Sequence, residues 1–330
     1  MIEPGVILVT GGAGMIGSNL VHRLRQHGHR VIVVDNLWRG RRENLLDAND
    51  HHVIDMEHDF YDRDLALPDQ LDDLLTNVDY LFHLADIVAG IGYVFCNQGS
   101  IFRQNLLINS NVVTSARRFP DIKGLIYVGT ACSFPADKQT GVDAPPLREE
   151  DQYPAAPESA YGWSKLMGEY EMQLAEKEVG IPVSIPVLHN VYGAPCDFDS
   201  GRSQVIPALI QKALRAPDQP FIVWGSGEQG RAFVHVRDVI DGLIAAMERG
   251  LGKGIIQIGP DSCTRIKDIA ETVADISGKN FDITYDTTRP EGDRGRCADF
   301  SKARKELGWT PRIDLREGLE ELYEWISART

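Results

Sequence analysis

Residues 6–20 read VILVTGGAGMIGSNL. Val6 to Thr10 is an unbroken aliphatic and β-branched run, the pattern of a strand buried on both faces. Gly11, Gly14 and Gly17 follow, each three positions from the next, and Ser18 to Gln26 then has a helical pattern with Leu20, Val21 and Leu24 on one side. A strand, a glycine loop and a helix in this order form the opening unit of a doubly wound sheet. The helix N-terminus at such a loop is an anion site. Pyrophosphate must reach backbone N–H groups with no side chain between, which is why the positions are glycine. Gly11, Gly14, Met15, Ile16 and Gly17 are therefore the expected cradle of a dinucleotide. A merely tight structural turn is the plainer alternative, and the strand–loop–helix setting argues against it.

Working outward, Val31 to Val34 is a second buried strand, and Asp35 ends it 18 positions after Gly17. A carboxylate there binds the ribose hydroxyls of the adenosine and repels a 2′-phosphate, which favours NAD over NADP. Arg39, Arg41 and Arg42 lie close by and keep NADP open as a minority option. The rhythm then repeats. Tyr80 to Phe82 is a strand, Asn105 to Phe119 a helix, Leu125 to Val128 a strand, Ala160 to Val179 a long helix and Val183 to Leu188 a strand. The expectation is an α/β protein whose doubly wound parallel-sheet Rossmann domain spans 1–188, with a return of about 232–258. After Tyr192 the pattern loosens. Helices at Val205 to Leu214, Val239 to Met247, Ile266 to Ile276 and Leu315 to Ile326 and a strand at Phe233 to Val236 punctuate Gly- and Pro-bearing loops. Residues 189–231 and 259–330 are read as a smaller C-terminal α/β lobe that binds substrate over the mouth of the sheet.

Composition narrows the class. The chain has 330 residues, 43% of them hydrophobic and 25% charged, with a formal net charge of −14. That is globular usage, not a disordered or collagen-like one. The negative balance argues against nucleic acid as partner, since counterion release needs a surplus of Lys and Arg. A small phosphorylated ligand needs only a local arginine cluster. Five scattered cysteines (Cys96, Cys132, Cys196, Cys263, Cys297) with no C-x-x-C suggest neither a disulfide framework nor a zinc site, so no metal is expected. With no signal-like N-terminus and no run long enough to span a membrane, a soluble cytoplasmic protein is the expectation.

The sequence YGWSK (161–165) puts Tyr161 and Lys165 at i and i+4, on one face of a helix. A neighbouring ammonium stabilises phenolate, and so is expected to lower the pKa of Tyr161 and make it a usable base near neutral pH. Alone the pair reads equally as an ordinary aromatic and charge on a helix. With the glycine loop upstream and Thr130 closing an intervening strand, it becomes specific.

Several segments together resemble the extended short-chain dehydrogenase/reductases of the nucleotide-sugar epimerase/dehydratase family, nearly end to end. They are TGGAGMIGSNL (10–20), VDN and RG (34–40), FHLA (82–85), Asn105, YVGT (127–130), YGWSK, HNVYG (189–193), GRAFVHVRDV (230–239) and RPEGDRGRCADFSKARKELGW (289–309). The resemblance implies an enzyme that holds NAD through its cycle, with Asn36, Asp59, Phe60, Leu84, Ala85 and Asn105 adding to the cofactor contacts beside Tyr161 and Lys165. It implies that the tyrosine takes a proton from a sugar hydroxyl as hydride leaves C4. Family dehydratases resemble T-D-E after that strand, whereas this chain has Thr130-Ala131-Cys132. Cys132 stands where the dehydratase glutamate would be, so it is the expected proton-exchanging group at a carbon beside the ketone. A small buried hydrophobe is the plainer reading of the same cysteine.

The A-C-aromatic-proline pattern, AGIGYV (89–94) and GRSQVIPALIQKA (201–213) resemble the GDP-mannose 3,5-epimerase branch. The branch's second proton carrier, a lysine after Gly201-Arg202, is here replaced by Ser203 and Gln204, and the nearest lysine is Lys212. Asp86 also stands where an alanine is usual. Asn190, Arg202, Arg231, Arg289, Arg294 and Arg296 are the candidates for gripping a nucleotide-diphosphate sugar, a GDP-sugar being favoured on resemblance alone. Inversion at C5, at C3 or at both stays open. So do a 4-epimerase, less favoured a 4,6-dehydratase, and a non-catalytic NAD-binding module. Family members pair through helices beside the tyrosine, which implies a homodimer.

Overall fold

The first two strands show why the sheet must be covered twice. In β1 (Val6–Thr10), Ile7 and Val9 enter one apolar cluster and Leu8 the opposite one; in β2 (Arg30–Val34), Val31 and Val33 divide from Ile32 and Val34 in the same way. Successive strand residues face opposite sides, so a continuous aliphatic run needs helices on both. The computed structural model describes residues 3–198, 203–289 and 294–330. On one face lie α1 (Met15–Gln26) and α6 (Val236–Arg249); on the other lie α3 (Gln98–Arg117), preceded by the short α2 (Ile91–Cys96), and α4 (Ala160–Val179).

The other sheet strands are β3 (Phe60–Tyr61), β4 (Tyr80–His83), β5 (Gly124–Tyr127), β6 (Gly129–Thr130), β7 (Val183–Leu188) and β8 (Gly254–Ile258). All pair in parallel, in the order β3-β2-β1-β4-β5-β7-β8, with β6 beside the end of β7. The order reverses between β1 and β4, so the loops leaving those strands part and open a crevice at their C-terminal ends. The expected Rossmann sheet is present. The two-residue β3 is too short for periodicity to signal, and α3 begins seven residues before the expected Asn105.

The C-terminal region builds a third apolar cluster from α5 (Val205–Arg215), α7 (Ile266–Ser277) and α8 (Leu315–Ser327), with Ile206, Leu209, Ile269, Val273, Leu319 and Leu322 at its centre. Short strand pairs tie it together. Gly230–Arg231 lies between Thr264–Arg265 and Gly295–Arg296, in a register that sets Arg231 opposite Arg296. Residues 300–309 return to the sheet, where Phe300, Leu307 and Trp309 join the cluster under α6. Buried Asp238 anchors the chain just beyond, accepting the N–H groups of Arg312 and Ile313 at 3.0 Å each.

Candidate active site

The glycine loop is built as its chemistry requires. Gly11 has φ 69°, a left-handed conformation, and a Cβ on Gly17 would run into the Gly11 carbonyl oxygen. Gly14 caps α1 without a side-chain hydrogen bond, and the first turn holds no acid. The orphan N–H groups of that turn thus face a crevice lined by Gly14, Met15, Ile16 and Gly17. Asp35 lines the same crevice and accepts N–H bonds from Ala13 (2.9 Å) and Leu37 (2.8 Å). Burial raises its pKa above the usual carboxylate value, and those two bonds oppose the rise. Asp35 therefore braces the loop as well as facing the ligand space. Arg39 is engaged by the Val88 carbonyl at 3.0 Å, and Arg42 lies 4.9 Å over the Phe60 ring.

From this loop a cavity of about 1550 Å³ runs beneath the C-terminal lobe. Ordinary small-ligand sites span roughly 300–1,000 Å³, so the space suits a cofactor and a substrate of nucleotide size together. Asn36, Leu84, Ala85, Thr130, Cys132, Tyr161, Lys165, Asn190, Arg231 and Arg296 all line it.

The reacting end is set by the start of α4. Ser159 caps that helix by accepting the Gly162 N–H at 3.2 Å, and a Cβ on Gly162 would strike the Cys132 carbonyl oxygen. The turn after Thr130 and the helix bearing Tyr161 are therefore in direct backbone contact. Thr130 Oγ1 accepts the Cys132 N–H at 3.3 Å, and Ser133 Oγ donates to the Thr130 carbonyl at 2.7 Å. Behind the turn, fully buried Glu169 accepts from Gln152, and burial raises its pKa to about 7. Arg296 donates to Cys132 Sγ at 3.2 Å and to Gln139 Oε1 at 3.1 Å.

One expectation about proton affinity is corrected. Tyr161 was expected to have a lowered pKa; it lies well above its ordinary value, because burial, with Cys132 and Asp86 as neighbours, outweighs the Thr130 hydrogen bond and Arg296. The ammonium expected to lower it, on Lys165, is bound by Asp86 in an ion pair whose side chains are 4% and 2% exposed.

Not every candidate reaches the cavity. Asn105 is fully buried behind it, accepting the Ile87 N–H at 2.7 Å and donating to Ser164 Oγ at 3.2 Å, so it supports the 84–90 loop and is not among the lining residues. Asp59 is turned to Arg30 at 2.8 Å, and Phe60 lies beneath Arg42; neither is among the lining residues. Arg289 lies 5.2 Å over the Trp224 ring and pairs with Asp286, touching the cavity only through that tryptophan. Arg294 is exposed, outside the lining, and is tied by its backbone to Gln139 and Gly230. Arg202 lies outside the described residues.

Residues 7–259 match the NAD dependent epimerase/dehydratase family. The chain belongs to that family. GDP-mannose 3,5-epimerase of Arabidopsis thaliana is 32% identical over 321 residues, which span 97% of this chain and 81% of that protein. UDP-glucuronic acid decarboxylase 3 of the same plant is 31% identical over 324 residues, 96% of this chain and 88% of that one. Among solved structures, UDP-glucose 4-epimerase of Thermotoga maritima, with UDP-glucose, has a TM-score of 0.86 at 27% identity, covering 98% of this chain and 99% of its own. UDP-glucuronic acid 4-epimerase of Bacillus cereus, in complex with UDP-glucuronic acid and NAD, has a TM-score of 0.81 at 27% identity, covering 98% and 100%.

This epimerase/dehydratase is thus an NAD-dependent enzyme. Its glycine loop and Asp35 fit the cofactor on their own geometry: a side-chain-free cradle at uncapped helix N–H groups, and a carboxylate at the end of β2. Sequence reasoning did not single out His189, Gln229 or Trp224, which also line the cavity. His189 Nδ1, Asn190 Oδ1 and Gln229 Oε1 are buried with no hydrogen-bond partner among the described residues, as expected of groups that meet a polar ligand. Of these the HNVYG segment pointed to Asn190; His189 stood beside it in the same string.

Proposed function

We propose that this family member is a nucleotide-sugar epimerase of the GDP-mannose 3,5-epimerase type. It would oxidise C4 transiently, exchange a proton at C5 or C3 through an enolate, and reduce C4 again. The observation that carries the reading is Cys132. It lines the cavity on the turn that follows Thr130, against the helix bearing Tyr161, with the Arg296 guanidinium 3.2 Å from its sulfur. Bound NAD supplies a hydride acceptor and later a hydride donor at C4. Tyr161 takes the C4 hydroxyl proton and returns it, oriented by Thr130. The resulting ketone acidifies C3 and C5; Cys132, as its thiolate, takes a proton from one of them to leave the enolate, and solvent returns a proton to the opposite face of that carbon. The Arg296 guanidinium, in contact with that sulfur, is a positive partner for it while it carries the negative charge. Arg231, register partner of Arg296, and Asn190 would face the diphosphate.

A second reading, a 4-epimerase, is favoured by Gln204. It occupies the position expected for the second proton carrier and lines the cavity, while the Lys212 ammonium is spent on the Ile222 carbonyl at 2.5 Å. Turnover in D2O with GDP-mannose and a panel of GDP- and UDP-sugars separates the two. Deuterium at C5 or C3 is the expected result, and Cys132→Ala should lose at least about 100-fold in that exchange while still binding the sugar nucleotide. Inversion at C4 with no deuterium on carbon would leave the 4-epimerase. A homodimer formed through α3 and α4 belongs to the same reading, supported by the exposed Leu107, Trp163 and Tyr170 on those helices.

A further inference from the structure

Asp86 has no part in the mechanism above, yet it sits at its centre. It follows FHLA directly, lines the cavity, and its side chain is 2% exposed. Oδ2 accepts from Lys165 Nζ, while Oδ1 is buried with no hydrogen-bond partner among the described residues. A buried carboxylate with one bare oxygen is costly to keep ionised, and a buried ammonium is no cheaper. Each therefore makes the other's charge tenable, and removing one strands the other. The Tyr127 ring face, 4.2 Å from Nζ, closes a further side of Lys165.

We propose that Asp86 is a positioning residue for the proton transfer: as counter-ion of Lys165, it makes the ion pair, and not the lysine alone, the charge that Tyr161 meets. The proposal rests on the reading of Tyr161 as the proton-transferring group. It adds a residue that the Tyr–Lys pattern lacks.

The charged and titratable groups around the pair come from every neighbouring element. Tyr161 meets Asp86 after β4, Cys132 on the turn after β6, and Arg296 on the strand 295–296, along with the Thr130 hydroxyl. Lys165 meets His83 on β4, Tyr127 on β5 and, one helical turn along α4, Glu169. His83 is held neutral by burial and by the Lys165 charge, and it bridges Thr10 and Asn109 at 2.8 and 2.9 Å, so it is no substitute counter-ion. Among these groups Asp86 and Cys132 oppose phenolate, and Arg296 and Thr130 favour it. Neutralising Asp86 removes one opposing charge and at the same stroke leaves the ammonium uncompensated; both changes favour phenolate.

The test is an ultraviolet titration of tyrosinate on the purified protein carrying its dinucleotide, without any sugar nucleotide. It uses wild type, Asp86→Asn, Asp86→Ala and Lys165→Met, each with and without Tyr161→Phe to isolate the Tyr161 signal. Circular dichroism confirms the fold of every variant used, and the isosteric Asp86→Asn stands if Asp86→Ala does not fold. The expected result is that ionisation of Tyr161 moves down by at least about one pH unit in the Asp86 variants, a tenfold change in proton affinity. In the Lys165→Met background the same Asp86 substitution should give a smaller shift. A Tyr161 transition at the wild-type pH in Asp86→Asn overturns the proposal, as does a full shift that persists without the lysine. Because no substrate enters, the result stands even if the GDP-sugar reading fails.

Discussion

At the scale of single residues, the site is defined by what each side chain is left facing. Tyr161 and Lys165 were legible from their spacing, but the sign of the tyrosine's shift was not. It depends on Asp86, 75 residues before Tyr161 in sequence and joined to Lys165 only in the fold. Glu169 makes a separate prediction. Its carboxyl is fully buried behind the catalytic turn, with its pKa raised from 4.5 to about 7. An acid whose folded pKa is raised holds its proton more tightly when folded. That contribution is complete below the unfolded value and is lost as pH rises through about 7. Wild type should therefore lose on the order of 3 kcal/mol of stability over that window from this group. Glu169→Gln should flatten the loss, measured by urea unfolding at a series of pH values across it; an equally steep decline in the variant would assign the pH dependence elsewhere.

At the scale of elements, two contacts between backbones place the chemistry. Gly17 lets α1 close on Gly11, and Gly162 lets α4 close on Cys132. The first was readable, because the glycine triplet announces itself between a strand and a helix. The second was not, since a glycine one turn into a helix signals only a lowered helix propensity. Gly162→Ala should raise the intrinsic helix propensity of α4 and still harm the enzyme, since the new methyl must push the helix off the Thr130–Ser133 turn. We expect at least a 100-fold loss in turnover with the helical content retained, checked by steady-state rates beside circular dichroism. Activity near wild type would mean that the turn and α4 can separate without cost. The substrate arginines divide on the same scale. Arg231 and Arg296 are brought side by side by strand register, whereas Arg289 and Arg294, within seven residues of Arg296 in sequence, point elsewhere.

At the scale of the whole molecule, the third apolar cluster is the core of the C-terminal region, and the returning segment 300–309 packs Phe300, Leu307 and Trp309 into the cluster under α6. The outer surface of α3 and α4 carries three exposed large apolar side chains. Trp163 and Tyr170 lie seven residues apart on one side of α4, exposed, with Leu107 exposed on α3. If this surface joins two copies, sedimentation should show a dimer at micromolar concentration, and Tyr170→Glu should weaken association at least about tenfold. A monomer in wild type under the same conditions would remove the homodimer.

The sequence by itself determined the class of fold and marked the glycine loop and Asp35, because both are written in local patterns, whereas Asp59, Phe60 and Asn105, expected beside them, do not line the cavity. Aliphatic runs demand a sheet covered on two faces, and a glycine triplet between strand and helix leaves room for pyrophosphate at backbone N–H groups. It also marked Cys132 and Gln204 as departures from a family pattern. Only the tertiary structure decided which charges meet. The Asp86–Lys165 pair, Arg296 against Cys132 and Glu169 behind Thr130 each join residues distant in sequence or set on different elements. Electrostatic influence depends on burial and on distances of a few ångströms, and no spacing along the chain encodes either.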